Sequence, residues 1–137
     1  MPYTIWWDTE ENPGICIDVT GEYDWNEIWE IMYKLNEMID TVDHVVGLFF
    51  VNGEHMVRNM PPGLMTQTKS MSKLTHPRAG AAFFINPRPS MLDKMWNQLI
   101  VNLLPPSKQF YIVKTLEEAR EMSAEHIRRR GAQNSGS

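Results

Sequence analysis

His44–Gly53, HVVGLFFVNG, followed four residues later by Arg58–Met65, RNMPPGLM, is the stretch on which the fold turns. Val45 to Val51 is apolar at odd and even positions alike. A strand with that pattern is covered on both faces, as the strands of parallel sheets are. The paired prolines and the glycine then close the strand and open a helix, predicted over 61–74. Proline suits a first helical turn, where an amide proton would have no partner and φ is already set.

Working outward, YTIWWD (Tyr3–Asp8) and the segment Ile15–Thr20 flank the polar turn TEENPG. They read as an antiparallel hairpin. Asp24 and Glu27 have the spacing of a capping box, worth about 1 kcal/mol. The helix they open places Trp25, Ile28, Trp29, Met32, Leu35 and Ile39 on one stripe. Ala81–Asn86 is a second two-faced strand. The next helix is predicted to open at Ser90 and to bury Met91, Leu92, Met95, Trp96, Leu99, Ile100 and Leu103. Phe110–Val113 is the last strand. Thr115 and Glu118 form a second capping box before a final helix with Leu116, Ala119, Met122 and Ile127 inward. The domain is predicted over 1–130, with a disordered tail over 131–137. The order is β-β-α-β-α-β-α-β-α, an α/β domain whose five-stranded sheet is mostly parallel after the N-terminal hairpin.

With 137 residues, 42% of them hydrophobic and 22% charged, the chain has the composition of one soluble domain. It carries no apolar run of the roughly 18 residues a membrane helix needs and no signal-peptide pattern, so a cytoplasmic location and no membrane insertion are expected. The lone Cys16 reads as a buried, inert thiol. Charge is uneven: residues 1–57 hold one basic and twelve acidic side chains, residues 58–137 twelve basic and five acidic. Either the halves interleave and their charges mix, or the molecule is two-faced and self-associates or attracts an anionic partner. No nucleic-acid motif is present.

The element order, the strand VVGLFFVNG before a helix-starting loop, and the closing FYIVKTLEEAREM resemble the STAS family, the anti-sigma-factor antagonist-like domains, over about residues 3–127. The closing stretch is similar to the strand and Thr/Ser-x-Glu-Glu-Ala helix that commonly end these domains. The resemblance implies a regulatory, non-catalytic protein-interaction domain, of a kind that includes single-domain bacterial proteins of unassigned role. Typical members carry Asp-Ser-Ser/Thr-Gly after the third strand, with one hydroxyl phosphorylated by a partner kinase. Aligning that glycine with Gly63 puts Met60, Pro61 and Pro62 where Asp-Ser-Ser would stand. Proline has no hydroxyl, so the resemblance does not carry the phosphorylation switch onto this chain. Thr66 and Thr68 lie too far on to match.

No catalytic constellation, cofactor motif or metal-ligand spacing stands out: His44, His55, His76 and His126 lack close-spaced partners. In parallel α/β sheets, ligands gather beyond the carboxyl ends of the strands. That edge collects Asn52, His55, Arg58 and Asn59 after the third strand, Asn86, Arg88 and Ser90 after the fourth, and Lys114 with Thr115 after the fifth. Together with helix N-termini they could hold an anion or a protein partner, or they could simply cap helices and face water. The expected partners are therefore another protein or a second copy of the chain, with Trp6 or Trp7 as anchors, or an anionic ligand. The alternative is a carrier for a small hydrophobic molecule or lipid, using the ten methionines and five tryptophans.

Overall fold

The computed structural model describes residues 3–9, 14–59, 61–63, 66–67, 70, 73–74, 76–88, 91, 94–95, 98 and 110–135. Its elements are β1 (Tyr3–Trp7), β2 (Gly14–Val19), α1 (Trp25–Asp40), β3 (Val46–Phe50), α2 (Gly53–Arg58), β4 (Ala79–Ile85), β5 (Phe110–Val113) and a final helix, α3 (Leu116–Ser135). Residues 66, 67, 70, 73 and 74 are also helical, as are 91, 94, 95 and 98. The strands lie in sequential order. β1 pairs antiparallel with β2, and β2, β3, β4 and β5 run parallel. The α/β class and the hairpin-then-parallel sheet are those the sequence predicts.

Alternation along the strands sorts the core into two layers. Ile15, Ile17, Val19, Val46, Phe50, Ala82 and Phe84 face α1, where Ile31, Leu35 and Ile39 meet them. Cys16, Phe49, Ala81, Phe83, Ile85 and Val113 point the other way, toward Ala119 of α3. The register sets Phe49 against Phe83 and Phe50 against Phe84. The second pair stacks at 4.7 Å and the first lies at 5.8 Å, one aromatic pair on each face. Such cross-strand pairs are the unit of sheet stabilisation, each contributing roughly 0.2–1 kcal/mol.

Right-handed crossovers advancing in one direction put their helices on one face, which leaves open what covers the second face of β3–β5. The chain's own last helix does so. α3 follows β5 and is not a crossover, so the handedness rule does not bind it, and it folds back across β3, β4 and β5. Gly47 allows that approach: a Cβ there would stand 2.2 Å from Ser123 Oγ.

Four local expectations are corrected. The helix predicted over 61–74 begins later, because Gly63 has φ 97° and its carbonyl accepts the amide of Gln67 at 3.0 Å. Residues 61–63 are not helical, so Pro61 and Pro62 precede the helix instead of occupying its first turn. The loop before them contains α2, too short for periodicity to reveal. Met91 and Met95, predicted to be buried, are 80% and 63% exposed. They share a helical face with Lys94 and Gln98, and burying that face would strip those polar groups of water. α3 continues through Ser135, into the stretch 131–137 predicted as a tail. Arg130 anchors its later part by donating to the Ala79 carbonyl at 2.9 Å. On α1 the buried stripe is Ile28, Ile31, Leu35 and Ile39, while Trp25, Trp29 and Met32 are half-buried beside it.

Candidate functional site

Parallel pairing brings the carboxyl ends of β2, β3, β4 and β5 to one edge, and the residues following β3, β4 and β5 gather there as expected. The polar groups of Asn52, His55, Asn59 and Asn86, however, are already engaged. Asn52 stands at the N-cap of α2 and its side-chain amide donates to the Val19 carbonyl at 3.1 Å. His55 lies 3.0 Å through Nε2 from the Gly21 carbonyl. A carbonyl only accepts, so Nε2 carries the proton and Nδ1 is the acceptor. Asn59 fills that acceptor at 3.3 Å and also donates to the His55 carbonyl at 2.9 Å. Both ring nitrogens are thus in use, and His55 has no lone pair free for proton abstraction. Tyr23 ties down the same region by donating its hydroxyl to the Met56 carbonyl. Burial pushes that phenol well above its ordinary range.

After β4, Asn86 is 2% exposed. Its backbone amide donates to Val113 at 2.8 Å and its side-chain oxygen accepts the Arg88 amide at 3.0 Å, an Asx turn that ends the strand. After β5, Thr115 Oγ1 accepts the Glu118 amide at 3.1 Å. The Glu118 carboxylate reaches back to the Lys114 amide at 3.1 Å, one residue beyond the reach of a standard capping box. The Asp24–Glu27 box at the head of α1 forms as predicted. Arg58 pairs with Glu54 at 2.9 Å on an exposed helix turn, and the Arg88 and Lys114 side chains face solvent. Ser90 lies outside the described residues. The edge therefore brings Asn52, His55 and Asn59 together around the β2–α1 connection and leaves Arg58, Arg88 and Lys114 outside the cluster.

Two further clusters join residues too far apart in sequence for spacing to reveal. Asp8, with its side chain only 2% exposed, accepts two hydrogen bonds from Arg120 at 2.7 and 2.8 Å. The Arg120 guanidinium holds the Asp8 carboxyl below its usual range. Cys16 lies 3.5 Å from the same carboxylate, and its thiol is pushed up to about 12, first by burial and then by the Asp8 charge. It stays protonated at neutral pH and is no nucleophile. Also at the amino ends of the parallel strands, His76 Nδ1 accepts the Arg78 amide at 3.0 Å, so Nε2 is the donor to Asp40 at 2.6 Å. Arg78 also donates to the Ile39 carbonyl at 3.3 Å. The Arg78 guanidinium beside the last turn of α1 complements its dipole. Asp40, Thr41, Val42, Asp43, His44 and Arg78 line a shallow, open hollow of about 650 Å³ there. The His76 ring is spent on both nitrogens, and the Thr41 hydroxyl donates to the Met38 carbonyl at 2.6 Å. The hollow thus presents neither a free base nor a free nucleophile from these two residues. Asp8–Arg120 and Asp40–His76–Arg78 each join the acidic half of the chain to the basic half, so at these places the two charge sets mix.

Among the described residues, no group of three or more His, Cys, Asp and Glu side chains is arranged to hold a metal ion. Nor, among them, is any helix long and apolar enough to cross a membrane. Large apolar side chains lie outside the core instead: Trp6 is 40% and Tyr33 56% exposed, besides Met91 and Met95. Trp7 is half-buried and packs on the α1-side core, which leaves Trp6 as the outward-facing member of the pair. No protein-family model, curated protein or solved structure matches this chain.

Proposed function

We propose that this chain is a non-catalytic, STAS-like protein-interaction module with a regulatory role, acting without the hydroxyl-based phosphorylation switch of that family. The observation that carries the reading is the division of labour on the surface. At the strand ends Asn52, His55, Asn59 and Asn86 are spent on loop closure and capping, whereas Trp6 stays exposed on the outer strand β1. Large aromatic side chains left in solvent at such positions are the usual anchors of protein interfaces. The hairpin followed by sequentially ordered parallel strands supports the STAS resemblance. Pro61-Pro62-Gly63 follow α2 and carry no hydroxyl in the first two places, which is why the reading leaves the family's switch out.

Native mass spectrometry of the chain gently purified from its own cells tests this. The expected result is a stoichiometric complex with another protein, or a dimer near twice 15.9 kDa. A bare monomer at every concentration would overturn the proposal. A monomer carrying a hydrophobic small molecule would replace it with the carrier reading.

A further inference from the structure

We infer that the outer edge of β1 is the docking line, and that its occupant is an extended, basic segment of a partner protein which adds as a sixth strand. The inference rests on the interaction-module reading above and names the surface and the chemistry it uses. β1 ends the sheet and pairs only with β2 among the described residues. The Asp8 amide donates to the Gly14 carbonyl at 2.9 Å, which fixes the phase of the ladder. Counting back by twos, Trp6 and Thr4 turn their backbone groups toward β2, and Tyr3, Ile5 and Trp7 turn theirs away from the sheet. Three residues thus offer amides and carbonyls along one line.

Edge strands are ordinarily blunted by lysine, proline, a bulge or an inward charge. Tyr3-Thr4-Ile5-Trp6-Trp7 has none of these, and its register with β2 runs without a shift. On one side of the strand Thr4 and Trp6 are exposed, while α3 packs mainly on β3, β4 and β5 and reaches the end of β1 through the Arg120–Asp8 pair. On the other side α1 runs past, with Glu30 accepting from the Tyr3 hydroxyl at 2.9 Å and Lys34 lying 4.9 Å from the Tyr3 ring centre.

Charge decides between the two occupants a bare edge admits. From Trp25 to Asp40, α1 carries Glu27, Glu30, Glu37 and Asp40 against the single base Lys34. Asp18, opposite Thr4 on β2, adds another carboxylate on the far face. Antiparallel pairing of β1 with its own copy would bring two such acidic flanks together, which like-charge repulsion disfavours. An extended strand alternating basic and apolar residues fits instead. Its apolar side meets Trp6 and its basic side meets Glu30, while the backbone supplies affinity through the ladder.

The test uses two synthetic eight-residue peptides, one alternating lysine with valine and one alternating glutamate with valine, titrated by fluorescence anisotropy into the full chain. The lysine peptide is expected to bind at least tenfold more tightly at low salt, with the advantage shrinking as salt is added. It should slow exchange of the Tyr3, Ile5 and Trp7 amides. Ile5→Pro removes one outward donor and leaves the Thr4 and Trp6 bonds to β2 in place, so it should weaken binding at least tenfold. Should that variant not fold, Thr4→Lys, at an exposed position, serves the same purpose through charge. Equal binding of both peptides, binding of neither, or protection elsewhere on the chain overturns the inference. So does a peptide-free dimer whose slow amides are Tyr3, Ile5 and Trp7, since the occupant would then be a second copy. A protein complex whose contacts avoid β1 would sink this inference and leave the interaction-module reading standing.

Discussion

The carboxyl-end edge of the sheet and the outer flank of β1 use their hydrogen-bonding capacity in opposite ways. At the carboxyl ends, Asn52, His55, Asn59 and Asn86 look like ligand-binding side chains in the sequence but spend their polar atoms on Val19, Gly21 and neighbouring backbone. At β1 the side chains carry no charge, yet a row of backbone groups and an exposed indole remain uncommitted among the described residues. Polar residue type therefore locates loop closure at these strand ends, while the proposed recognition rests on unspent backbone. An amide or carbonyl left unpaired in the interior costs about 1–3 kcal/mol, so closure is required wherever strands end under cover. At an edge, water bears that cost, and a partner can later displace it.

The comparison breaks most readily where closure is electrostatic. Arg120→Ala strands the Asp8 carboxylate, whose side chain is 2% exposed. Removing one partner of a fully buried pair costs roughly 3–5 kcal/mol. Because the Arg120 side chain is 43% exposed, water offsets part of that, and a loss of about 2 kcal/mol in a urea titration is expected. The sign with pH follows from the lowered Asp8 value. The stabilisation is fully present above the unfolded value of about 4 and is lost as pH falls through the lower folded one. The native chain should therefore lose stability more steeply below about pH 4 than the variant does. Parallel acid limbs would show that the pair contributes nothing.

A smaller pair of changes sets the two regions directly against each other. Asn52→Ala leaves the carbonyl of fully buried Val19 without its donor and should cost about 1–2 kcal/mol. Trp6→Ser, on the open flank, should change stability by no more than about 0.5 kcal/mol while weakening association. If Asn52→Ala is neutral in stability but abolishes partner binding, the roles of the two regions are reversed.

Much of the frame was legible in the sequence, because it follows from short-range signals. Asp24 with Glu27 marked the start of α1, Phe110–Val113 marked β5, and the unbroken apolar run through Phe49 and Phe50 marked a strand covered on both sides. What could not be read depended on distance along the chain. Asp8 meets Arg120 across 112 positions and Asp40 meets His76 across 36, and no local pattern announces either. The carboxyl-edge cluster was legible as a location, since parallel topology dictates it. The engagement of its side chains was not, because that depends on where the carbonyls of Val19 and Gly21 come to lie. Met91 and Met95 misled for a related reason: methionine suits either a core or an exposed contact surface, and only tertiary packing decides.

The most direct test is a backbone amide-exchange footprint of the chain within the partner complex isolated in native form. The account predicts slowed exchange at Tyr3, Ile5 and Trp7, with the segments 52–59, 86–88 and 114–115 unchanged from the free chain. Protection concentrated in those three segments, with β1 unaltered, would contradict it and return recognition to the carboxyl ends of the strands.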